Sequence, residues 1–322
     1  MPKKEVSMSE NIHDFLVRIA WLYYKERWSQ EKIAKDLNIC RTKVVRALQK
    51  AREDGIVTFY VWGSRNNCLS LEQKLKKRFN LTDAMVIPTS LSGDVRLSLG
   101  KAGAQFLYKN LSNKDIVGIA WGRTIYEVIT NFTGKSVENV KVVNLMGGLT
   151  TSMSLNPYDI AGKLASMIDG QCYYLYAPAI TNSEESCKLF KLEASIKETL
   201  QIARNASISL VGVGEVSPRW TIIQLGYMSL QELEVCKAQG AVGSILGQFF
   251  DKAGNKIDCE INRRLVALPL EELRNSPNVV TVAGGGSKAK AILGGIRGNY
   301  IKILITDERT AIKLIELDTS GE

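Results

Sequence analysis

Seven short, largely apolar runs separated by helical stretches constrain this chain more than any other feature. They are Ala84–Ile87, Ile116–Trp121, Val140–Met146, Cys172–Tyr176, Ile208–Val213, Val279–Ala283 and Ile301–Thr306. A run that is apolar throughout, rather than at every second residue, suits a strand covered on both faces. Helical patterns such as Leu97–Leu111 and Ile160–Ile168 lie between the runs, and parallel neighbours need crossovers of that kind. The expectation is an α/β fold with a mostly parallel sheet and helices on both sides. The chain has 322 residues, enough for at least one full-sized core, and no short repeat of the kind solenoids show.

Ligands in such sheets bind beyond the carboxyl ends of the strands, and four of those ends are rich in glycine. Ile119-Ala120-Trp121 leads into Gly122-Arg123-Thr124, Leu145-Met146 into Gly147-Gly148, and Leu210-Val211 into Gly212-Val213-Gly214. Val282-Ala283 leads into Gly284-Gly285-Gly286-Ser287-Lys288. Glycine lets backbone amides approach an anion, and a helix N-terminus adds a favourable dipole. Each turn alone is equally consistent with tight βα packing. Together, with Thr124 and Lys288 at two of them, they point to a phosphate-bearing ligand. Neither the Walker A spacing nor G-x-G-x-x-G is present, which argues against a nucleotide.

The first sixty residues have a different character. Ile12, Phe15, Leu16, Ile19, Ala20 and Tyr23 follow the spacing of an amphipathic helix. Ser29 is placed to cap a second helix running to Leu37, and a third is expected from Arg41 to Glu53, stopped by Asp54-Gly55. Within Gln30-x3-Ala34-x3-Asn38-x5-Val44, the small Ala34 permits a close crossing, and Asn38 tolerates the left-handed conformation of a sharp turn. This is helix-turn-helix spacing, in which the later helix enters the major groove. Gln30, Arg41, Thr42, Lys43 and Arg46 would then meet base edges or phosphates. The alternating segment Ile56–Val61 suits a β-wing. Periodicity alone would serve a dimerisation hairpin equally well.

Charge sharpens the choice. The net charge is +9, and residues 1–80 hold 17 Lys/Arg against 9 Asp/Glu, which leaves only +1 for the rest. A localised basic field favours a polyanion, although a lysine-rich solvated surface would show the same balance. The six cysteines are scattered without a C-x-x-C pair, and His13 is the single histidine, so no metal cluster or cofactor is expected and the thiols are expected to be free. The opening Met1–Glu5 has no apolar signal-peptide core, and no run approaches a membrane span. The expected compartment is the cytoplasm.

The chain resembles the SorC (SorC/DeoR-type) family of bacterial sugar-responsive transcriptional regulators along nearly its whole length. The segments that carry the resemblance include Arg18–Tyr24, Ser29–Ala34, Gly55-Ile56-Val57, Trp121–Thr124, Gly147-Gly148, Val211–Gly214, Gly240–Gly243, Phe249–Asp251 and Thr306-Asp307. The resemblance implies a winged helix-turn-helix over 1–62, a linker and linking helix over 63–80, and a sugar-phosphate-isomerase-like effector and oligomerisation domain over 81–322. It implies a phosphorylated sugar as effector, a double-stranded operator as partner, and a homo-oligomer, often a tetramer. By position, Gly122 and Thr124 would hold the phosphate with Gly147 and Gly148 beside it. Lys288 would touch the ligand, and Ser244 to Gln248 would face its hydroxyls. Family members often carry Asp where this chain has Ser244, and Ser or Thr where it has Cys40. The alternative is a sugar-phosphate isomerase or deaminase on the same fold, for which Glu215 and Asp251 are the available carboxylates.

Overall fold

The computed structural model describes residues 8–54, 56–57, 65–89, 95–149, 156–218 and 220–320. Contacts divide the chain into two units, Met1–Gly63 and Ser64–Glu322.

The first unit contains α1 (Met8–Ala20), a π-helical turn at Trp21–Lys25, α2 (Gln30–Asp36) and α3 (Arg41–Glu53). Their apolar faces meet in a small core of Leu16, Ile19, Ile33, Ala34, Val44, Ala47, Leu48 and Ala51. The Ser29 hydroxyl caps α2 by accepting from the Lys32 N–H at 3.1 Å. At the other end of α2, Asn38 is left-handed, with φ 51°. Its N–H donates to the Lys35 carbonyl at 3.3 Å, and the Ile39 N–H donates to that of Ala34 at 2.9 Å. That pair of bonds is a Schellman motif, which satisfies the last carbonyls of the helix and turns the chain toward α3. Cys40 precedes α3 and gives it no side-chain cap. Of the expected wing, Thr58–Val61 lies outside the described residues. Ile56 and Val57 pack against the small core, and the Val57 N–H donates to the Ala51 carbonyl at 3.0 Å.

The second unit begins with α4 (Arg65–Phe79), β1 (Asp83–Ile87), α5 (Arg96–Asn110), β2 (Ile116–Ile119), α6 (Arg123–Thr130), β3 (Lys141–Asn144), α7 (Pro157–Met167) and β4 (Gln171–Tyr173). It continues through α8 (Glu184–Leu192), α9 (Ala194–Arg204), β5 (Ile208–Val211), β6 (Gly214–Glu215), α10 (Thr221–Gln224), α11 (Leu230–Ala238), β7 (Gly243–Ile245) and β8 (Gln248–Phe250). The last elements are α12 (Glu260–Arg264), α13 (Leu270–Leu273), β9 (Val279–Val282), a 3-10 turn at Gly286–Lys288, α14 (Ala289–Arg297), β10 (Ile303–Asp307) and α15 (Glu308–Thr319).

Seven strands form one sheet in the order β1-β10-β9-β5-β2-β3-β4, and every neighbouring pair is parallel. Side chains alternate between its faces. Ile119, Leu210, Val280 and Ile305 pack with α5, α6 and α7, whereas Val143, Val211, Val279 and Leu304 pack with α4, α9, α14 and α15. The helix expected as a link is thus one of the layers of this unit, with Cys68, Leu71 and Leu75 buried. The Val86 N–H of β1 donates to the Glu72 carboxylate of α4 at 2.8 Å. On the opposite face, a Cβ on Gly100 of α5 would lie 2.5 Å from the Glu127 Cβ. That close approach fixes how α6 lies against the sheet.

Several strands end earlier than their apolar runs. Beyond Asn144, for instance, the chain leaves the ladder, and Met146 pairs antiparallel with Ala267. A second sheet, β6-β7-β8, is antiparallel and has no counterpart in the sequence expectations. Its strands are two or three residues long. Its hairpin turns through Leu246 and Gly247, both left-handed at φ 51° and 76°, a geometry usually flagged by Asn-Gly.

The left-handed turn at Asn38 yields a direct test. Asn38→Val places a β-branched residue at positive φ and should cost the first unit about 1–2 kcal/mol. Asn38→Gly should leave it nearly unchanged, as read by chemical denaturation followed by circular dichroism.

Candidate functional site

The order of the strands creates one place where loops part. From β2 the chain proceeds through α6 to β3 on one side, and from β5 it proceeds to β9 on the other. Such a switch point opens a crevice at the carboxyl ends of the two strands. A cavity of about 220 Å³ lies there, lined by Trp121–Ile125 following β2 and by Gly212–Glu215 following β5. Arg96, Trp220, Ser244, Leu246, Gly247 and Lys288 complete its wall.

One bank is a helix N-terminus. Gly122 precedes α6 at φ 124° and supplies no side-chain cap. A Cβ there would meet nothing within 4 Å, so the open backbone conformation, rather than crowding, calls for glycine. The amides of Arg123, Thr124 and Ile125 belong to the first turn of the helix, which has no intrahelical acceptors. With the helix dipole behind them they form a positive pole. Thr124 is buried at this pole.

Lys288 stands at the start of α14. Although part of the residue is exposed, its ammonium is enclosed by protein, and among the described residues it makes no ion pair. Burial holds it below the ordinary lysine range; Glu215 opposes that shift and Arg96 adds to it. The loop carrying Lys288 is fixed by Asp307 at the end of β10. The Asp307 carboxylate accepts from the Gly285 N–H at 2.8 Å and from the Thr310 N–H at 3.1 Å. A Cβ on Gly284 would sit 2.4 Å from that carboxylate.

The opposite bank is polar and aromatic. Gly214 on β6 pairs with Ser244 on β7. A Cβ on Gly214 would lie 2.6 Å from Ser244 Oγ and 2.4 Å from the Trp220 indole nitrogen, so both polar atoms crowd over this strand. Trp220 is buried and meets Phe249 edge-on at 4.8 Å. A second depression, of about 590 Å³, is a broad surface hollow along α15. Glu308, Arg309, Lys313 and Glu316 line it with both signs of charge.

Gly122, Thr124, Ser244 and Lys288 therefore converge on one cavity, and Gly147, Gly148 and Gln248 are not among its lining residues. The two glycines serve close packing: a Cβ on Gly147 would lie 2.4 Å from the Ala177 carbonyl, and one on Gly148 2.4 Å from the Tyr158 ring. The Gln248 side chain is buried and engaged with the backbone. Its Nε2 donates to the Leu268 carbonyl at 2.9 Å, and its Oε1 accepts from the Leu270 N–H at 3.4 Å. Arg96, at the start of α5, and Trp220 had no motif to mark them, and Arg96 reaches the cavity from an element remote in sequence.

In the first unit, Arg41, Thr42, Lys43 and Arg46 are all exposed on α3. Arg41 Nε donates to Gln30 Oε1 at 3.4 Å, and its Nη1 lies 3.4 Å from the Glu31 carboxylate. These contacts are solvated and therefore weak, which leaves the guanidinium able to exchange them for another acceptor. Lys43 lies over the Phe15 ring at 5.4 Å.

The model of the sugar-binding domain family, Sugar-bind, matches residues 64–316. The deoxyribonucleoside regulator of Bacillus subtilis (strain 168) is 32% identical over 303 residues, covering 93% of this chain and 96% of that protein. The transcriptional regulator LsrR of Enterobacter sp. (strain 638) is 33% identical over 309 residues, covering 94% of this chain and 93% of that protein. The full-length sorbitol operon regulator SorC of Klebsiella pneumoniae has a similar structure, with a TM-score of 0.74 and 27% identity. That match covers 94% of this chain and 98% of the other. The chain belongs to the SorC/DeoR-type family. It is a transcriptional regulator with a sugar-binding domain, and not an enzyme. Among the described residues, no helix is long and apolar enough to cross a membrane.

Lys288 provides the test of this electrostatic description. Because its folded-state pKa is lowered, the penalty for keeping the buried ammonium charged is fully present below the folded value. It is relieved as the pH rises from the folded value toward the ordinary lysine value of about 10.4. In a buffer free of phosphate, Lys288→Met should be more stable than the wild type at pH 7, and the gap should shrink as the pH rises. Urea denaturation at several pH values measures this, and a gap independent of pH would contradict it.

Proposed function

We propose that residues 1–62 form a winged helix-turn-helix that binds a double-stranded DNA operator, and that a phosphorylated sugar bound in the second unit controls operator affinity. The observation that carries the effector reading is the cavity between β2 and β5, where the uncapped start of α6 and the enclosed Lys288 converge. A buried cation and a helix N-terminus facing one small space suit a dianionic phosphate. The hydroxyl and indole groups on the other bank suit a polyol. Gly122, Thr124, Ser244 and Lys288 contact the ligand in this reading. Gly147 and Gly148 support the neighbouring loop, and Gln248 braces the hairpin that bears Ser244.

For DNA, the exposed cations of α3 and the tight turn at Asn38 support a recognition helix that presents Arg41, Thr42, Lys43 and Arg46, with Gln30 at the start of α2. The regulator works in the cytoplasm as a homo-oligomer, a tetramer, and the ligand favours one quaternary arrangement over another. That difference changes the spacing of the DNA-reading units.

Titration of an operator complex with a panel of sugar phosphates and the matching unphosphorylated sugars tests the effector. A phosphorylated member is expected to shift operator affinity while its parent sugar does not; a shift produced only by an unphosphorylated metabolite would overturn the reading. Arg41→Ala and Arg46→Ala test the recognition helix. Loss of a base contact should cost about 1–3 kcal/mol of specific binding, and loss of a phosphate contact should weaken all sequences alike and flatten the salt dependence. Undiminished operator binding by the double variant would remove α3 from the interface.

A further inference from the structure

We propose that Glu215 reads the hydroxyls of the ligand and sets its direction, so that the phosphate lies against Gly122–Thr124 and the carbinol end against β6. The assignment rests on the cavity binding a sugar phosphate, as proposed above. A sugar site needs an acceptor for its O–H groups, and a carboxylate is the strongest available. On this bank Ser244 offers only a neutral hydroxyl, which lacks that charge. The fold supplies a carboxylate from the adjacent strand instead.

Three observations place it. Glu215 lines the cavity together with Ser244, and it lies one residue beyond Gly214, the direct partner of Ser244 across the β6–β7 ladder. Its carboxylate is held but not saturated. The Ser217 hydroxyl donates to Oε1 at 2.9 Å, and among the described residues no bond to Oε2 is made. A carboxylate offers about four acceptor positions, so capacity for ligand hydroxyls remains. Finally, β6 touches the 3-10 turn at Gly286–Lys288, and Glu215 is the carboxylate whose charge bears on Lys288.

Charge then decides orientation. A phosphate placed beside Glu215 would meet like charge, whereas at the start of α6 it meets open amides and shares Lys288. The cavity is therefore polar along its length, with an anion end at α6 and an acceptor end at β6. This arrangement separates two properties that a simple cationic pocket would keep together. Affinity for bare phosphate depends on Gly122–Thr124 and Lys288 and is opposed by Glu215. Affinity for the sugar part depends on Glu215.

Calorimetric titration of the full chain and of Glu215→Gln tests this, with inorganic phosphate, glycerol 3-phosphate, ribose 5-phosphate and glucose 6-phosphate as probes. Thermal melting of both proteins checks that the fold is retained. The amide keeps the shape and one acceptor but loses the charge. Glu215→Gln should therefore weaken the best-bound sugar phosphate roughly tenfold, while inorganic phosphate binds as well as before or better. Unchanged sugar-phosphate affinity would overturn the assignment and leave the effector reading intact. An equal loss for both kinds of probe would also overturn it, since that is the mark of a structural role. A wild-type chain that binds none of the sugar phosphates would overturn the effector reading and the assignment with it.

Discussion

A parallel sheet has no face it can leave in water when both faces are apolar, and the architecture of the second unit follows from that. Side chains of β2, β5, β9 and β10 alternate between two buried layers, so helices must cover both sides. Even the helix between residues 65 and 79 is recruited as cover, with Leu71 and Leu75 buried against the sheet. Crossovers on both faces mean that successive connections part company somewhere in the sheet. Here they part between β2 and β5. The cavity is a consequence of burying the sheet rather than an addition to it.

Charge is distributed unequally around that cavity. The start of α6 offers backbone donors without a cap, and Lys288 is held where water cannot fully solvate it. The loop bearing Lys288 is kept in place by Asp307, whose carboxylate is occupied by backbone and hydroxyl donors rather than by the lysine. A carboxylate paired with Lys288 would neutralise the very field that recommends it for an anion. Glu215 acts on it from a distance only.

The first unit obeys a simpler rule. Its core is small and aliphatic, and its decisive geometry is one left-handed residue that ends α2 and redirects the chain into α3. That turn leaves one side of α3 facing solvent with its cations, so packing and surface chemistry are set by the same few residues.

The three helices of the first unit were legible because periodicity, caps and stop signals are local properties: Ser29, Asn38 and Asp54 act within a turn of themselves. All seven strands of the main sheet were legible for the same reason, since an apolar run shows in any short window. Gly122, Thr124 and Lys288 could be singled out because strand ends and helix starts are adjacent in sequence. Whether such ends share a site is not a local property. Gly147 and Gly148 close the strand beside β2 and look alike in sequence, yet they pack against Ala177 and Tyr158. Arg96 and Trp220 reach the cavity from other elements and carry no motif. The order of the strands decided this, because only the positions of β2 and β5 determine where the loops diverge. Sequence by itself therefore determined the elements and their chemistry, which depend on neighbours along the chain. Tertiary structure alone decided which of those chemistries meet, because that depends on neighbours across the sheet.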